Sequence, residues 1–122
     1  MTQEEKDLLL KDLCARLPYG VRMKELDPVN GIELEFYLTS IYKDNVQVNT
    51  KDGGVMAAVI DAFKPYLRPM SSMTKEEKLY HFAINEEPII CTDWLNSHHF
   101  DYRGLIEKGL ALEAPKDMYK NE

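Results

Sequence analysis

The stretch Ile32–Tyr42, IELEFYLTSIY, decides the fold class of this chain. Along its first half, apolar side chains alternate with acidic or hydroxyl-bearing ones, the apolar set being Ile32, Leu34, Phe36 and Leu38. Such alternation is typical of a strand with one buried face. Ile41 breaks the parity, and one extra residue near Thr39-Ser40 would restore it as a β-bulge. The stretch therefore predicts a long, bent strand over 32–42.

Turn-forming residues on both sides divide the surrounding region into further strands. Clusters of Asp, Asn, Gly and Pro at 27–31, 43–45 and 52–54 separate apolar runs near 19–26, 46–50 and 55–60. Short strands joined by short turns favour an antiparallel meander of four to five strands. Because a bulge bends a sheet, an SH3-like half barrel is the preferred picture, and a flat sheet is the alternative.

Two capping boxes predict helices on either side of this sheet. Thr2 with Glu5 begins a helix over about 3–17, which Pro18 ends, and its apolar face is Leu10, Leu13, Cys14 and Leu17. Thr74 with Glu77 begins a second helix over about 75–83.

The segments around the second helix are predicted to be less regular. Pro65 and Pro69 fix extended geometry, so 64–69 is interpreted as a crossing from the sheet to a helical tail. Pro88 is expected to end the second helix. Thr92 is expected to cap a short third helix, and Asp101 a fourth that ends near Gly109.

Length and composition favour a single α+β domain over residues 1–122. Its parts are a helix at 1–18, an antiparallel sheet at 19–63, and the crossing with its helical tail at 64–122. With 44% hydrophobic residues, a chain of 122 residues can build a core without disulfides or metal. The two cysteines, Cys14 and Cys91, are accordingly interpreted as buried core residues.

Charge and hydropathy exclude several function classes. The chain has 15 basic and 21 acidic residues, a net charge of -6, and neither half is a basic arm. Since nonspecific nucleic-acid and membrane binding depend on Lys and Arg, neither is expected. An acidic N-terminus without a long apolar run predicts no secretory signal and a cytoplasmic protein. No motif for a cofactor is present, and the oligomeric state stays open.

One cluster near the C-terminal end has residue types that suit chemistry: Cys91, Asp93, His98, His99 and Asp101. Thiolate, imidazole and carboxylate bind zinc and act as acids and bases. Neighbouring residues on a helix point about 100° apart, however, so His98 and His99 could both reach one ion only if the helix ends between them. The favoured interpretation is that His98 packs beside Trp94. His99 would then lie at a helix end, where the last carbonyls favour an imidazolium.

The absence of a catalytic motif favours a protein-binding module with an unidentified partner. Its candidate contacts are the sheet face near Glu35 and Tyr37, or an aromatic and arginine surface from the tail. For the tail aromatics the favoured interpretation is that they pack the tail onto the sheet. The candidate residues are Glu35, Tyr37, Arg68, Trp94, His98, His99, Asp101, Tyr102 and Arg103. One alternative is a small metal-dependent hydrolase that uses Asp93, His98, His99 and Asp101. Another is an acidic inhibitor of a nucleic-acid enzyme.

Segments of the C-terminal half carry a resemblance. Residues 64–73, 93–96, 98–106 and 109–114 resemble those of uncharacterised small proteins of anaerobic gut bacteria and their prophages and mobile elements. The resemblance implies a bacterial or phage cytoplasmic setting. It assigns no activity and no functional residue.

Overall fold

The computed structural model describes residues 1–28 and 31–119. In these residues the helices and strands follow one another as α1 (Gln3–Arg16), β1 (Arg22–Glu25), β2 (Phe36–Tyr42), β3 (Asn45–Asn49), β4 (Val55–Val59), β5 (Phe63–Pro69), α2 (Lys75–Ile84), α3 (Pro88–Ser97), β6 (Phe100–Asp101) and β7 (Leu112–Glu113). Short 3-10 turns occupy Leu17–Tyr19, Ile60–Ala62 and Met70–Ser72. The α+β class predicted from the sequence is confirmed.

The described strands form one open sheet in the order β4-β3-β2-β1-β5-β6, and β7 also pairs with β5. Strands β1 to β4 are the predicted antiparallel meander. The bulge is also confirmed, because Leu38 pairs with Val48 while Ser40 pairs with Gln47, which leaves Thr39 as the extra residue. The sheet does not close into a half barrel. It is also mixed, since β6 and β7 run parallel to β5.

The predicted crossing at 64–69 is instead strand β5, which lies between β1 and β6 in the sheet. It pairs antiparallel with β1, and Pro65 lies opposite Met23. Phe63, Pro65 and Leu67 are buried in alternation with less buried neighbours. Pro69 has φ -62 and ψ 147, which is an extended conformation. The prolines fixed extended backbone as expected, but this geometry suits a strand as well as a crossing.

Strand β2 begins at Phe36, four residues later than predicted. Ile32 and Leu34 are exposed, so their alternation with acidic residues marks no buried face. A strand needs a partner, and β1 pairs only with Phe36 and Tyr37 of β2. The predicted turn over 27–31 includes residues 29 and 30, which lie outside the described residues.

Helices α1 and α2 begin at their predicted capping boxes, and both reciprocal hydrogen bonds are present in each. The predictions for α3 and beyond are wrong in detail. Pro88 begins α3, where its missing N–H has no helical partner to lose, and Thr92 lies inside that helix. Asp101 accepts hydrogen bonds from the N–H groups of Leu105 and Ile106, but these begin a turn that is not continued as a helix.

The main core lies between α1 and one face of the sheet, with Leu9 and Leu13 of the helix fully buried. The buried face of α1 also includes Asp12 and Arg16. Cys14, predicted to be core, is exposed, because the buried face is rotated from the predicted one. A second, smaller cluster of Met73, Leu95 and Phe100 packs with Trp94 and half-buried Cys91 beneath α2 and α3.

Candidate functional site

A cleft of about 710 Å³ lies where β5, α2, α3 and the segment 113–119 meet. Its charged and polar side chains are those of Arg68, Ser72, Thr74, Glu77, His98, Glu113, Lys116, Asp117 and Tyr119. The sequence singled out Arg68 and His98 among these. The other lining residues were not predicted as site residues, and Thr74 and Glu77 were recognised only as the capping box of the second helix.

The charged pair Arg68–Glu77 forms one wall of the cleft. Two nitrogens of Arg68 donate to the two carboxylate oxygens of Glu77 at 2.8 and 2.7 Å. The same carboxylate accepts from the backbone N–H of Thr74 in the capping box at 2.9 Å. The Arg68 hydrogen bonds lower the pKa of Glu77 to about 2. The ion pair thus holds α2 against β5. The Arg68 guanidinium also lies 4.1 Å from the centroid of the Phe100 ring.

His98 lies on the aromatic side of the cleft, as the sequence predicted for its packing. Its ring centroid is 4.8 Å from that of Trp94, and its Nδ1 is 3.9 Å from a carboxylate oxygen of Glu77. Burial lowers the pKa of His98, and the Glu77 carboxylate opposes that shift. His98 is therefore neutral at neutral pH and can accept or donate a hydrogen bond.

The hydroxyl groups that line this cleft serve the fold. Ser72 donates to the Pro69 carbonyl at 2.7 Å, and Thr74 caps α2. The Tyr119 hydroxyl donates to the Tyr66 carbonyl at 2.7 Å and accepts from the Arg22 N–H at 2.9 Å. The cleft therefore offers groups for polar recognition, and the hydroxyls of Ser72, Thr74 and Tyr119 are bonded to backbone groups.

The predicted metal-ligand set is spread over separate contacts. Asp93 accepts a hydrogen bond from the Tyr19 hydroxyl, and Asp101 caps the turn at 105–109. Among the described residues, no three His, Cys, Asp or Glu side chains are grouped as ligands of one ion. Residues that are neighbours in sequence here face different parts of the molecule.

His99 is not the imidazolium at a helix end that the sequence predicted. It follows the end of α3 with φ 62, a left-handed conformation that turns the ring into the interior. The ring is 1% exposed and stacks on Tyr119 at 3.8 Å between centroids. Burial, reinforced by nearby Arg16, lowers the pKa of His99 to about 3, so the ring is neutral.

Tyr102 and Arg103, two candidates for the aromatic and arginine surface, belong to a network with α1. Arg103 donates to Asp12 at 2.9 Å and to the Tyr102 hydroxyl at 2.8 Å. Asp12 also accepts from the Arg16 Nε at 2.8 Å, and both members of that pair are fully buried. Arg16 reaches the Phe100 carbonyl at 2.5 Å. Asp12 and Arg16 were not predicted from the sequence. Their i, i+4 spacing, next to Leu9 and Leu13, was the signal that could have identified them.

The two remaining predicted contacts, Glu35 and Tyr37, lie on the sheet side. Glu35 is exposed, precedes β2 and lies 3.9 Å from the Lys51 ammonium group. Tyr37 has the Arg22 guanidinium 5.3 Å from its ring centroid. A second cleft, of about 390 Å³, brings Tyr37 together with His98 and His99. Tyr37, predicted for the sheet contact, therefore lines the same cleft as His98 and His99, which were predicted for the tail contact.

An exposed apolar surface on α2 and the start of α3 was missed from the sequence. We call it the helical apolar surface, and its residues are Leu79, Tyr80, Phe82, Ile89 and Ile90. They are between 48% and 86% exposed. The spacing of Leu79 and Phe82 placed them on one helix face, but only the structure shows that this face lies away from the core.

No helix in the described part of the chain is long and apolar enough to cross a membrane. No protein-family model, curated protein or solved structure matches the chain. The function of the chain is therefore inferred from the arrangement of its own side chains.

Proposed function

We propose that this chain is a non-enzymatic protein-binding module whose partner docks on the helical apolar surface. The observation that carries the proposal is that α2 buries none of its residues, although it contains leucine, tyrosine, phenylalanine and isoleucine. Five large apolar side chains that are exposed on two successive helices are a candidate site of protein contact.

The contacts that hold α2 explain how its apolar residues stay outside. Polar attachment comes from Arg68 and Glu77. Apolar attachment comes from Trp94, whose ring lies 5.3 Å from Tyr80 and 6.1 Å from His81. Tyr80 takes part in this attachment and is still 48% exposed, so the surface left for a partner is chiefly that of Leu79, Phe82, Ile89 and Ile90.

The charges beside the surface indicate what the partner brings. Glu86 and Glu87 are exposed in the turn that precedes Ile89, whereas the first turn of α2 exposes Glu76 together with Lys75 and Lys78. We therefore expect the partner to place a lysine or arginine side chain beside Ile89, since complementary charge aids encounter and orientation. The bacterial or phage cytoplasm implied by the resemblance is the setting that we infer for this complex.

The residues predicted from the sequence take supporting positions in this proposal. Arg68, Trp94 and His98 lie behind α2 and hold it, while Tyr102 and Arg103 join α1 to β6. Glu35 and Tyr37 are a separate contact that the proposal does not need. The hydrolase built on Asp93, His98, His99 and Asp101, and the acidic inhibitor, stay predictions.

The test begins with the partner captured by the tagged chain from a lysate of the organism that encodes it. The captured protein is then purified and its affinity measured by calorimetry against wild type, Phe82→Glu and Ile89→Glu. We expect each variant to weaken binding by about 30-fold or more, as for a central contact residue. The matched control is Tyr42→Glu, which changes an aromatic residue of β2 that is 70% exposed.

Circular dichroism and melting temperature establish that the variants are folded. The proposal is contradicted if the reconstituted complex tolerates Phe82→Glu and Ile89→Glu. It is equally contradicted if Tyr42→Glu weakens binding as much as they do.

A further inference from the structure

Strand β4 is an edge of the sheet whose outer side carries no strand among the described residues. Its pairing partner is β3, from Asn45 opposite Val59 to Asn49 opposite Val55. An edge strand presents a row of backbone donors and acceptors that a further strand can use.

The hydrogen bonds at the two ends of this hairpin fix which groups point outward. The backbone N–H of Thr50 donates to the Gly54 carbonyl at 2.8 Å, and the backbone N–H of Ile60 donates to the Asp44 carbonyl at 2.8 Å. In an antiparallel pair, bonded and non-bonded residue pairs alternate. Met56 and Ala58 therefore direct their N–H and C=O groups toward β3. Residues 55, 57 and 59 direct theirs away from the sheet.

The side chains of the same three residues are exposed and apolar. Val55 is 63% exposed and Val59 is 53% exposed, with exposed Ala57 between them. The adjacent row on β3 is polar, being Asn45, Gln47 and Asn49. Natural edge strands are commonly protected by lysine, proline or a bulge, and β4 has none of these.

We propose that β4 pairs antiparallel with β4 of a second copy of this chain, about a two-fold axis through Ala57. In that register Val55 lies opposite Val59 of the other copy, and Ala57 lies opposite itself. Each copy offers three outward N–H groups to three outward carbonyls, so the pair holds six backbone hydrogen bonds.

The sequence of β4 favours a second copy over an unrelated peptide. Val-Met-Ala-Ala-Val has the same kind of residue at equal distances from Ala57 on the exposed face, so the strand is complementary to itself. The small residue Ala57 lies at the axis. Because β4 contains no charged residue, like charges do not oppose each other across the pair. The result is a continuous sheet across both copies with α1 of each on the same face.

The first test is sedimentation of the full chain from about 10 μM to about 1 mM, a range that suits an interface smaller than the usual roughly 800 Å² per partner. We expect wild type to show reversible dimerisation. Ala57→Pro should be monomeric throughout, because it removes an outward N–H that β3 does not use.

A second pair of variants guards against a folding defect in Ala57→Pro. Ala57→Lys places like charges across the axis and should weaken the dimer by at least about tenfold. Ser40→Lys adds the same charge at an exposed position of β2, two strands from the edge, and should dimerise as wild type.

Cross-linking tests the register in a background where Cys14 and Cys91 are serine. Ala57→Cys should give a disulfide-linked dimer on oxidation, since opposing Cα atoms about 5.5 Å apart lie within disulfide range. Val55→Cys should give little, because its copy lies about four residues, roughly 14 Å, along the strand.

Three outcomes would overturn the β4 pairing. One is a wild-type chain that stays monomeric over the whole range. Another is a dimer that survives both Ala57→Pro and Ala57→Lys. The third is a dimer lost in Phe82→Glu and retained in Ala57→Pro, which would assign self-association to the helical apolar surface.

Discussion

Helices α1 and α2 start alike and are used differently. Each begins with a threonine and a glutamate in a complete capping box. Leu9 and Leu13 of α1 are fully buried, whereas α2 buries no residue. The shared local signal establishes that a helix forms there, but it does not establish which face, if any, enters the core.

The arginine–carboxylate pairs of the two helices differ in the same way. The Asp12 and Arg16 side chains are both 0% exposed, while those of Arg68 and Glu77 are 21% and 18% exposed. The first pair is part of the interior and joins α1 to β6. The second attaches α2 from outside, which leaves the apolar face of α2 available to another molecule.

Asp12→Ala should lower the stability more than any other change considered for the two helices, because it leaves the buried charge of Arg16 without its carboxylate. We expect a loss of about 3–5 kcal/mol in the free energy of unfolding, measured by urea denaturation at pH 7. Asp7→Ala, at an exposed position of the same helix, should change it by less than about 0.5 kcal/mol. An equal effect of both changes would mean that Asp12 has no special role.

Acidification should have the next largest effect on stability, through His99 at the junction between the two regions. His99 accepts the Arg68 N–H through its carbonyl at 2.8 Å, and its pKa is about 3 in the fold against 6.5 ordinarily. Below pH 6.5 the unfolded chain binds a proton that the folded chain does not, so stability is complete above pH 6.5 and falls toward pH 3. Urea denaturation should show a loss of about 2 kcal/mol by pH 5.

His99→Asn provides the control for this acid effect. Asparagine tolerates the left-handed backbone at this position and does not titrate. The variant should therefore be less dependent on pH between 6.5 and 5, even if the lost ring lowers its stability throughout. An unchanged slope in His99→Asn would assign the acid effect to other groups.

Glu77→Gln tests the attachment of α2 with a smaller expected effect. We expect a loss of roughly 1–2 kcal/mol at pH 7, because the Arg68 hydrogen bonds become uncharged on one side. The folded pKa of about 2 lies below the usual 4.5, so the advantage of wild type is complete above pH 4.5 and disappears toward pH 2. Glu76→Gln, its exposed neighbour, should behave as wild type at each pH.

Leu79→Ala should have the smallest effect on stability, although it removes a large apolar side chain. Leu79 is 64% exposed, so we expect a change of less than about 0.5 kcal/mol in urea denaturation. A loss of 2 kcal/mol or more would show that the outer face of α2 packs in the monomer, and would remove the contrast with α1.

Local signals in the sequence predicted part of this fold well. The capping boxes depend on residues three apart, and the Thr39 bulge followed from the parity of one strand. The prolines of β5 were misleading because a proline fixes its own φ without deciding whether a neighbouring strand pairs with it. Strands β6 and β7 have two residues each, too few to show a period.

The candidate site was harder to predict from the sequence, because its contacts join segments that are distant along the chain. Arg68, Trp94 and His98 were predicted as a group, but Glu77 was seen only as a helix cap. His99 faces inward because of one left-handed residue after α3, which periodicity does not reveal. The exposure of Phe82 and Ile89 depends on where α2 and α3 attach, and no local pattern carries that information.

The bond between Asp12 and Arg103 spans 91 residues of chain, and that between Arg16 and the Phe100 carbonyl spans 84. A ribosome releases α1 long before it has made either of these partners. The nascent helix must therefore wait, with its inner carboxylate and guanidinium still hydrated, until the segment at 100–103 has left the exit tunnel. Completion of the core is in this sense a late event of synthesis, because α1 precedes its partners at 100–103 by more than 80 residues of chain.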